Sequence, residues 1–200
     1  NDTTFIDLIE CHLKARGFTD PAADMAQQAR SADSIRKYTD NFGRGVNIVG
    51  GDFNIYNNTQ LAWQNFVTGG VDPYNDPVNR EGLWEANSAY ADLHTQASRA
   101  AGTTQIECGA TGGVDDRLDF LLVSDSLMNT INRVHYVPGT YAALGNNGST
   151  FNKSINDPSN TSSVPSSVLS ALYYMSDHLP VVMKLAIEYP IPNCVDPAPS

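Results

Sequence analysis

Four stretches of the chain carry residue types able to do chemistry. In "GGDFN", Asp52 and Asn54 stand two apart behind the apolar run "VNIV". If a strand continues through them they share one face and Phe53 turns the other way, because alternate strand residues point alike. A carboxylate beside a carboxamide suits Mg²⁺, which takes one or two carboxylates and keeps places for water and phosphate. Asn54 could instead hold a phosphate oxygen or an attacking water. The bland alternative is a strand-end turn, where Asp and Asn are common. In "SDHLPVV", Asp177 and His178 are adjacent at a turn before a strand. Imidazole titrates nearest neutrality, which makes His178 a natural general base. Its neighbour Asp177 could bind a metal or tune the ring. Taken alone, a turn histidine is an ordinary surface residue.

A base of this kind needs a partner that fixes its tautomer. "RLDFLL" offers Asp119, set between Leu118 and Phe120. A carboxylate inside an apolar strand is costly unless paired. Arg117, two residues away on the same face, is one partner; His178 is the other. "ECHLKAR" adds His12 at a strand end, where it could donate to a phosphoryl oxygen as charge develops. Lys14 lies on the same side and could neutralise phosphate. A lone His12 would be read as structural.

These residues need strands to carry them. "TFIDLIECHL" reads as a strand apolar on both faces. "TDPAADMAQQARSADSIRKYTDNFG" reads as a helix, capped by Asp20, with Pro21 in its first turn and Gly43 after its end. Ala22, Met25, Ala29, Ala32 and Ile35 form its apolar stripe. "VNIVGGDFN" is the next strand, so the three make a strand–helix–strand crossover. A helix carrying Leu61, Trp63 and Phe66 follows near Thr59, then an ordered surface loop over 68–80. "AYADLH" is predicted as a short strand, "RLDFLLVS" as a clear one and "RVHYV" as another. Residues 138–163 form a long Gly/Asn/Ser loop, and long loops tend to be functional or mobile. A short helix near "PSSVLSALYYM" and one last strand after "SDHLP" complete a layered α/β or α+β domain.

The 200 residues suffice for one domain with a sizeable core. At 41% hydrophobic and 17% charged the chain is globular. No apolar run is long enough to span a bilayer. A net charge of −10 argues against a polyanion binder with a basic face. It does not exclude a polyanionic substrate met through a divalent cation. Cys11, Cys108 and Cys194 are too widely spaced for a zinc motif. They are expected as thiols, or as one disulfide if the protein is exported; a secreted or extracellular location is the expectation.

In order, "HLKA", "GGDFN", "RLDFLLVS" and "SDHLPV" resemble the successive motifs of the endonuclease/exonuclease/phosphatase superfamily, the deoxyribonuclease-I-like fold, from about Phe5 to about Ile187. The resemblance implies a four-layered α/β/β/α sandwich with its site at one end. It implies that Asp52 and Asn54 belong to a metal and phosphate site, that Asp119 and His178 form the acid–base pair, that Asp177 lies near the metal, and that His12 faces phosphate. The family's first half carries an Asn and a metal-binding Glu that nothing here matches, Glu10 and Glu107 included. Residues 1–189 are therefore expected to be the C-terminal portion of such a domain, lacking its first half, with 190–200 a linker or tail. The expected function is metal-dependent phosphodiester hydrolysis, as an endonuclease on nucleic acid with Mg²⁺, or Mn²⁺ in its place. Lys14 and Lys153, the latter in the long loop, are expected substrate contacts. The alternatives are a phospholipid or inositol-phosphate phosphohydrolase of the same fold, or a non-catalytic remnant. Residues 1–200 alone are expected to be weak or inactive.

Overall fold

The computed structural model describes residues 3–43, 45–103 and 109–188. Its central unit is a three-stranded sheet in the order β1-β2-β3. Strand β1 (Asp7–His12) runs parallel to β2 (Asn47–Asp52), and helix α1 (Pro21–Phe42) crosses between them. Strand β3 (Asp119–Val123) pairs antiparallel with β2. Asp20 caps α1 through the Ala23 amide at 3.0 Å, and the Gly43 N–H closes its end on the Thr39 carbonyl, as the sequence predicts.

One face of this sheet packs against residues of α1 and α2 (Leu61–Val67) in a single apolar cluster. Val49 and Leu122 supply the strand side, and Trp63, Phe66 and Trp84 fill the space with Phe53 and Phe120. The rings interlock: Phe53–Phe120 and Trp63–Phe120 centroids are 5.3 Å apart. Truncating such a ring to Ala costs roughly 3–5 kcal/mol. The α1 stripe differs from expectation. Ala22 and Met25 are exposed, while Gln28, Arg36 and Thr39 are buried with Ala29 and Ala32. Gln28 reaches inward because its amide donates to the backbone carbonyls of Lys14 and Asn54. In the next helix Leu61 is exposed, and Trp63 and Phe66 face the core.

The other face of the sheet is covered at one end. Strand β4 (Val134–Tyr136) pairs with β7 (Leu185–Ile187), and Val134 and Leu185 pack with Ile48, Val123 and Leu127, the last from α3 (Asp125–Met128). Nearer the start of β1, Leu8 stays exposed beside an open groove lined by Ile48, Gly50 and Leu121. A second small pair joins β5 (Ala142–Ala143) to β6 (Val181–Val182). The fold is thus mixed α+β with small sheets.

Two elements differ from the sequence reading. "AYADLH" lies in a 3-10 helix over Ser88–Leu93, capped by the Asn87 side chain. Turn-forming Asn87 and two small alanines outweigh a three-residue apolar alternation. The segment after "SDHLP" makes two short strands, since β6 and β7 leave for different partners. The long Asn-rich loop is held by its own carboxamides: Asn146 donates to the Ala91 and His94 carbonyls, and Asn160 to those of Gly145 and Ile155. Helix α4 (Ser166–Met175) packs over it through Leu169 and Leu172 onto Ile155.

Arg117 takes neither Asp119 nor solvent. Its buried guanidinium forms a fork with Asp76, both N–O distances 2.8 Å, and reaches the Tyr141 hydroxyl at 3.2 Å. This pair locks the 68–80 loop onto the start of β3. Removing one partner of a buried pair strands the other charge. Asp76→Ala should therefore lower stability by about 3–5 kcal/mol, read as the shift in a urea unfolding curve; a shift below about 1 kcal/mol would mean that water replaces the pair.

Candidate active site

Strand register builds the site. In β1–β2 pairing His12 lies opposite Asp52, and in β2–β3 pairing Asp52 lies opposite Asp119. The last residue of β1, the last of β2 and the first of β3 thus form one row at one end of the sheet. The two glycines before Asp52 allow the strands this close. A Cβ on Gly51, at φ +129°, would strike the Cys11 carbonyl, and one on Gly50 the Leu121 side chain. The Cys11 thiol beneath is free, and burial, then the charges of Asp52 and Glu10, push it up to about 12. Cys108, Cys194 and Glu107 lie outside the described residues.

His178 arrives from the loop before β6. Its Nδ1 sits 2.7 Å from Asp119 Oδ2, and its Nε2 lies 3.9 Å from Asp52 Oδ2. His12 Nε2 approaches the same Asp52 oxygen at 3.3 Å, from an imidazole that is 76% exposed. Donor atoms of Asp52, Asp119 and His178 all fall within 4.8 Å of one another, so this cluster could hold a cation. The expected Asp119–His178 contact is thus present in the structure.

Asn54 reaches the site differently from the expected strand alternation. The strand ends at Asp52, and Asn54 adopts φ +50°. Its backbone N–H donates to Asp52 Oδ1 at 2.9 Å, and its buried carboxamide donates to the Leu13 carbonyl at 3.1 Å. Asn54 therefore orients Asp52 and ties the ends of β1 and β2 together. Phe53 is fully buried, as expected. Asp177 lies outside the three-residue cluster; its Oδ2 accepts from the Ala110 N–H and, at 3.3 Å, from the Gln96 amide. The structure does not bring the lysines into this constellation. Lys14 Nζ pairs with Asp24 at 3.4 Å, and Lys153 Nζ donates to Ser159 within its own loop.

Thr95 and Gln96 are the residues that sequence reasoning missed. The Thr95 hydroxyl accepts from the Leu118 and Asp119 amides, and its carbonyl accepts from Leu179 N–H. Gln96 bridges to Asp116 on one side and His178 on the other, and the Ser98 N–H donates to the Asp177 carbonyl. This four-residue splint sets the Asp119 strand against the His178 loop. No apolar pattern or charge marked it.

The charges in the row are poised against one another. Burial, aided by Asp119, raises Asp52 above the ordinary carboxylate range, against the pull of His178, the Asn54 N–H and His12. Burial disfavours the His178 imidazolium. The hydrogen bond and charge of Asp119, then the charges of Asp52 and Asp177, outweigh it, and His178 is raised. A half-buried carboxylate facing a second one, with hard oxygens directed at a shared space, fits a divalent cation.

No family model matches the chain, and no curated protein sequence matches it. Among solved structures, a mannosyl-6-phosphatase of Bacteroides thetaiotaomicron is similar at 20% identity with a TM-score of 0.44, over 90% of this chain and 51% of the phosphatase. The chain spans about half of that protein's length. A likeness of this size carries no statement about activity.

Beside the site, burial and the neighbouring Asp115 push Asp116 up to about 6. Below about pH 4, the ordinary Asp value, its carboxyl is protonated folded or unfolded and costs nothing. Between the two values only the folded state keeps the proton, so stability falls as pH rises, and above them the full cost remains. Asp116→Asn should raise the thermal midpoint at about pH 8 and leave it nearly unchanged at about pH 4. A gain of equal size at both would show that ionisation is not its cause.

Proposed function

We propose that the chain belongs to a metal-dependent phosphodiester hydrolase of the endonuclease/exonuclease/phosphatase type, an endonuclease acting on nucleic acid. The observation that carries this reading is the 2.7 Å contact of His178 with Asp119, directly across the sheet from Asp52. Asp119 holds the Nδ1–H of His178, so Nε2 is the nitrogen whose lone pair takes a proton from water once its contact with Gln96 is released. His12, exposed beside Asp52, donates to a phosphoryl oxygen as its charge grows. Asn54 fixes the Asp52 carboxylate through its N–H. Asp52 would hold Mg²⁺ or Mn²⁺, which neutralises phosphate charge when bound; Asp177 would join it only after leaving the Ala110 N–H and Gln96. The family's metal-binding Glu is unmatched here, so this chain alone holds the ion weakly, and an upstream half of the same domain completes the site. Lys14 and Lys153 serve as phosphate contacts only after leaving Asp24 and Ser159, so each contributes little.

The test uses this chain alone and the chain joined to such an upstream half. Each is incubated with Mg²⁺ or Mn²⁺ on plasmid DNA, an inositol phosphate and a chromogenic phosphodiester. The joined protein should cleave DNA, and the chain alone should show little turnover. His178→Ala should cost about 10²–10⁴-fold in kcat with KM nearly unchanged, because the base acts in the transition state. Asp119→Asn should follow it in part, and Asp52→Ala should raise the metal concentration needed. Wild-type turnover by His178→Ala would remove it as base. Preference for the inositol phosphate over DNA would replace the nuclease reading with a phosphohydrolase one.

A further inference from the structure

The proton-accepting nitrogen of His178 is not open. Nδ1 is taken by Asp119, and Nε2 lies 2.6 Å from the Gln96 amide nitrogen. The same nitrogen reaches Asp177 Oδ2 at 3.3 Å. Asp177 Oδ2 is a carboxylate acceptor, and Nε2 is an acceptor when Nδ1–H donates to Asp119. The Asp177 contact requires the NH₂ end of the Gln96 carboxamide, and the Nε2 contact agrees with it when the ring is neutral and Nδ1–H faces Asp119. The backbone around it is clamped. Gln96 N–H donates to the Asp116 carbonyl, the Gln96 carbonyl accepts from Asp115 and Asp116, and Ser98 is tied to Asp177. Gln96 thus delivers its side chain from a fixed point, and only its own torsions are free to move.

We propose that Gln96 is a positioning residue that caps the base. This rests on the assignment of His178 as that base. A neutral imidazole nitrogen has one lone pair, and an amide N–H and a water O–H cannot both use it. In the capped arrangement the ring is held at both nitrogens, aimed into the row and unable to accept from water. When the amide turns away, water takes its place against Nε2 and the ring is still held by Asp119. One hydrogen bond is exchanged for another, so the cap opens at small cost. Gln96 touches neither the water nor the phosphate in this scheme; it sets when Nε2 of His178 can reach them.

The experiment reads the lone pair and needs neither substrate nor metal. Diethyl pyrocarbonate acylates the free nitrogen of neutral imidazole, and labelling is followed for each histidine by peptide mass spectrometry in alkaline buffer. In the wild-type chain exposed His12 should label quickly and His178 slowly. Gln96→Leu keeps the bulk and removes the donor; Gln96→Ala removes both. Each should speed His178 labelling roughly tenfold, about what one hydrogen bond contributes, with His12 labelling and the thermal midpoint unchanged. Fast labelling of wild-type His178 overturns the cap. So does acceleration in Gln96→Ala without acceleration in Gln96→Leu, which would mean steric cover alone, and so does no acceleration in either. The base assignment is decided separately by turnover of His178→Ala, so the two cannot fail together unnoticed.

Discussion

One hydrogen bond organises the candidate site: His178 Nδ1 to Asp119 Oδ2, between residues 59 apart in the chain. A short contact between two such distant side chains requires that both backbones be set first, because a long loop on its own leaves too many conformations. Sheet register sets Asp119, by pairing it with Asp52 in the same row as His12. The Thr95–Ser98 splint sets His178, through backbone bonds to the Asp116–Asp119 side and to the Asp177–Leu179 side. The candidate site depends on this splint although it contributes no acid or base, only the neutral carboxamide of Gln96.

The second constraint is electrostatic. The chain is strongly acidic, and its site holds two carboxylates within reach of each other and two imidazoles. The raised Asp52 and raised His178 have different origins: burial with a like charge for the first, and surrounding carboxylates prevailing over burial for the second. Such opposed pressures are common at functional sites because they keep groups ready to change partners. The Arg117–Asp76 pair stands apart from this balance. It satisfies its charges internally, so the arginine nearest to Asp119 in sequence leaves that carboxylate free for His178.

Neutral carboxamides do much of the tying elsewhere. Gln28 joins α1 to the ends of β1 and β2, Asn54 closes the turn after Asp52, and Asn146 and Asn160 pin the long loop. An amide both donates and accepts and adds no charge, so it can satisfy buried backbone carbonyls without the desolvation cost of an ion. The richness in Asn that marks residues 145–160 as a loop is also what holds that loop in place.

The sequence by itself determined the strand–helix–strand crossover, the cap and end of α1, and the strands carrying Asp52 and Asp119, and it offered His178 as one of two partners for Asp119. Those rest on local signals: apolar runs, a capping Asp, a Pro in the first turn, and polar residues at strand ends where burial would penalise them. Only the tertiary structure decided that Arg117 belongs to Asp76, that "AYADLH" coils into a 3-10 helix, and that Asn54 turns its carboxamide inward. It alone revealed Gln96 against His178. Each of these depends on which partner is within reach across space. A glutamine has no preferred setting that a sequence can announce, and its meaning comes from the two acceptors that folding brings to its amide.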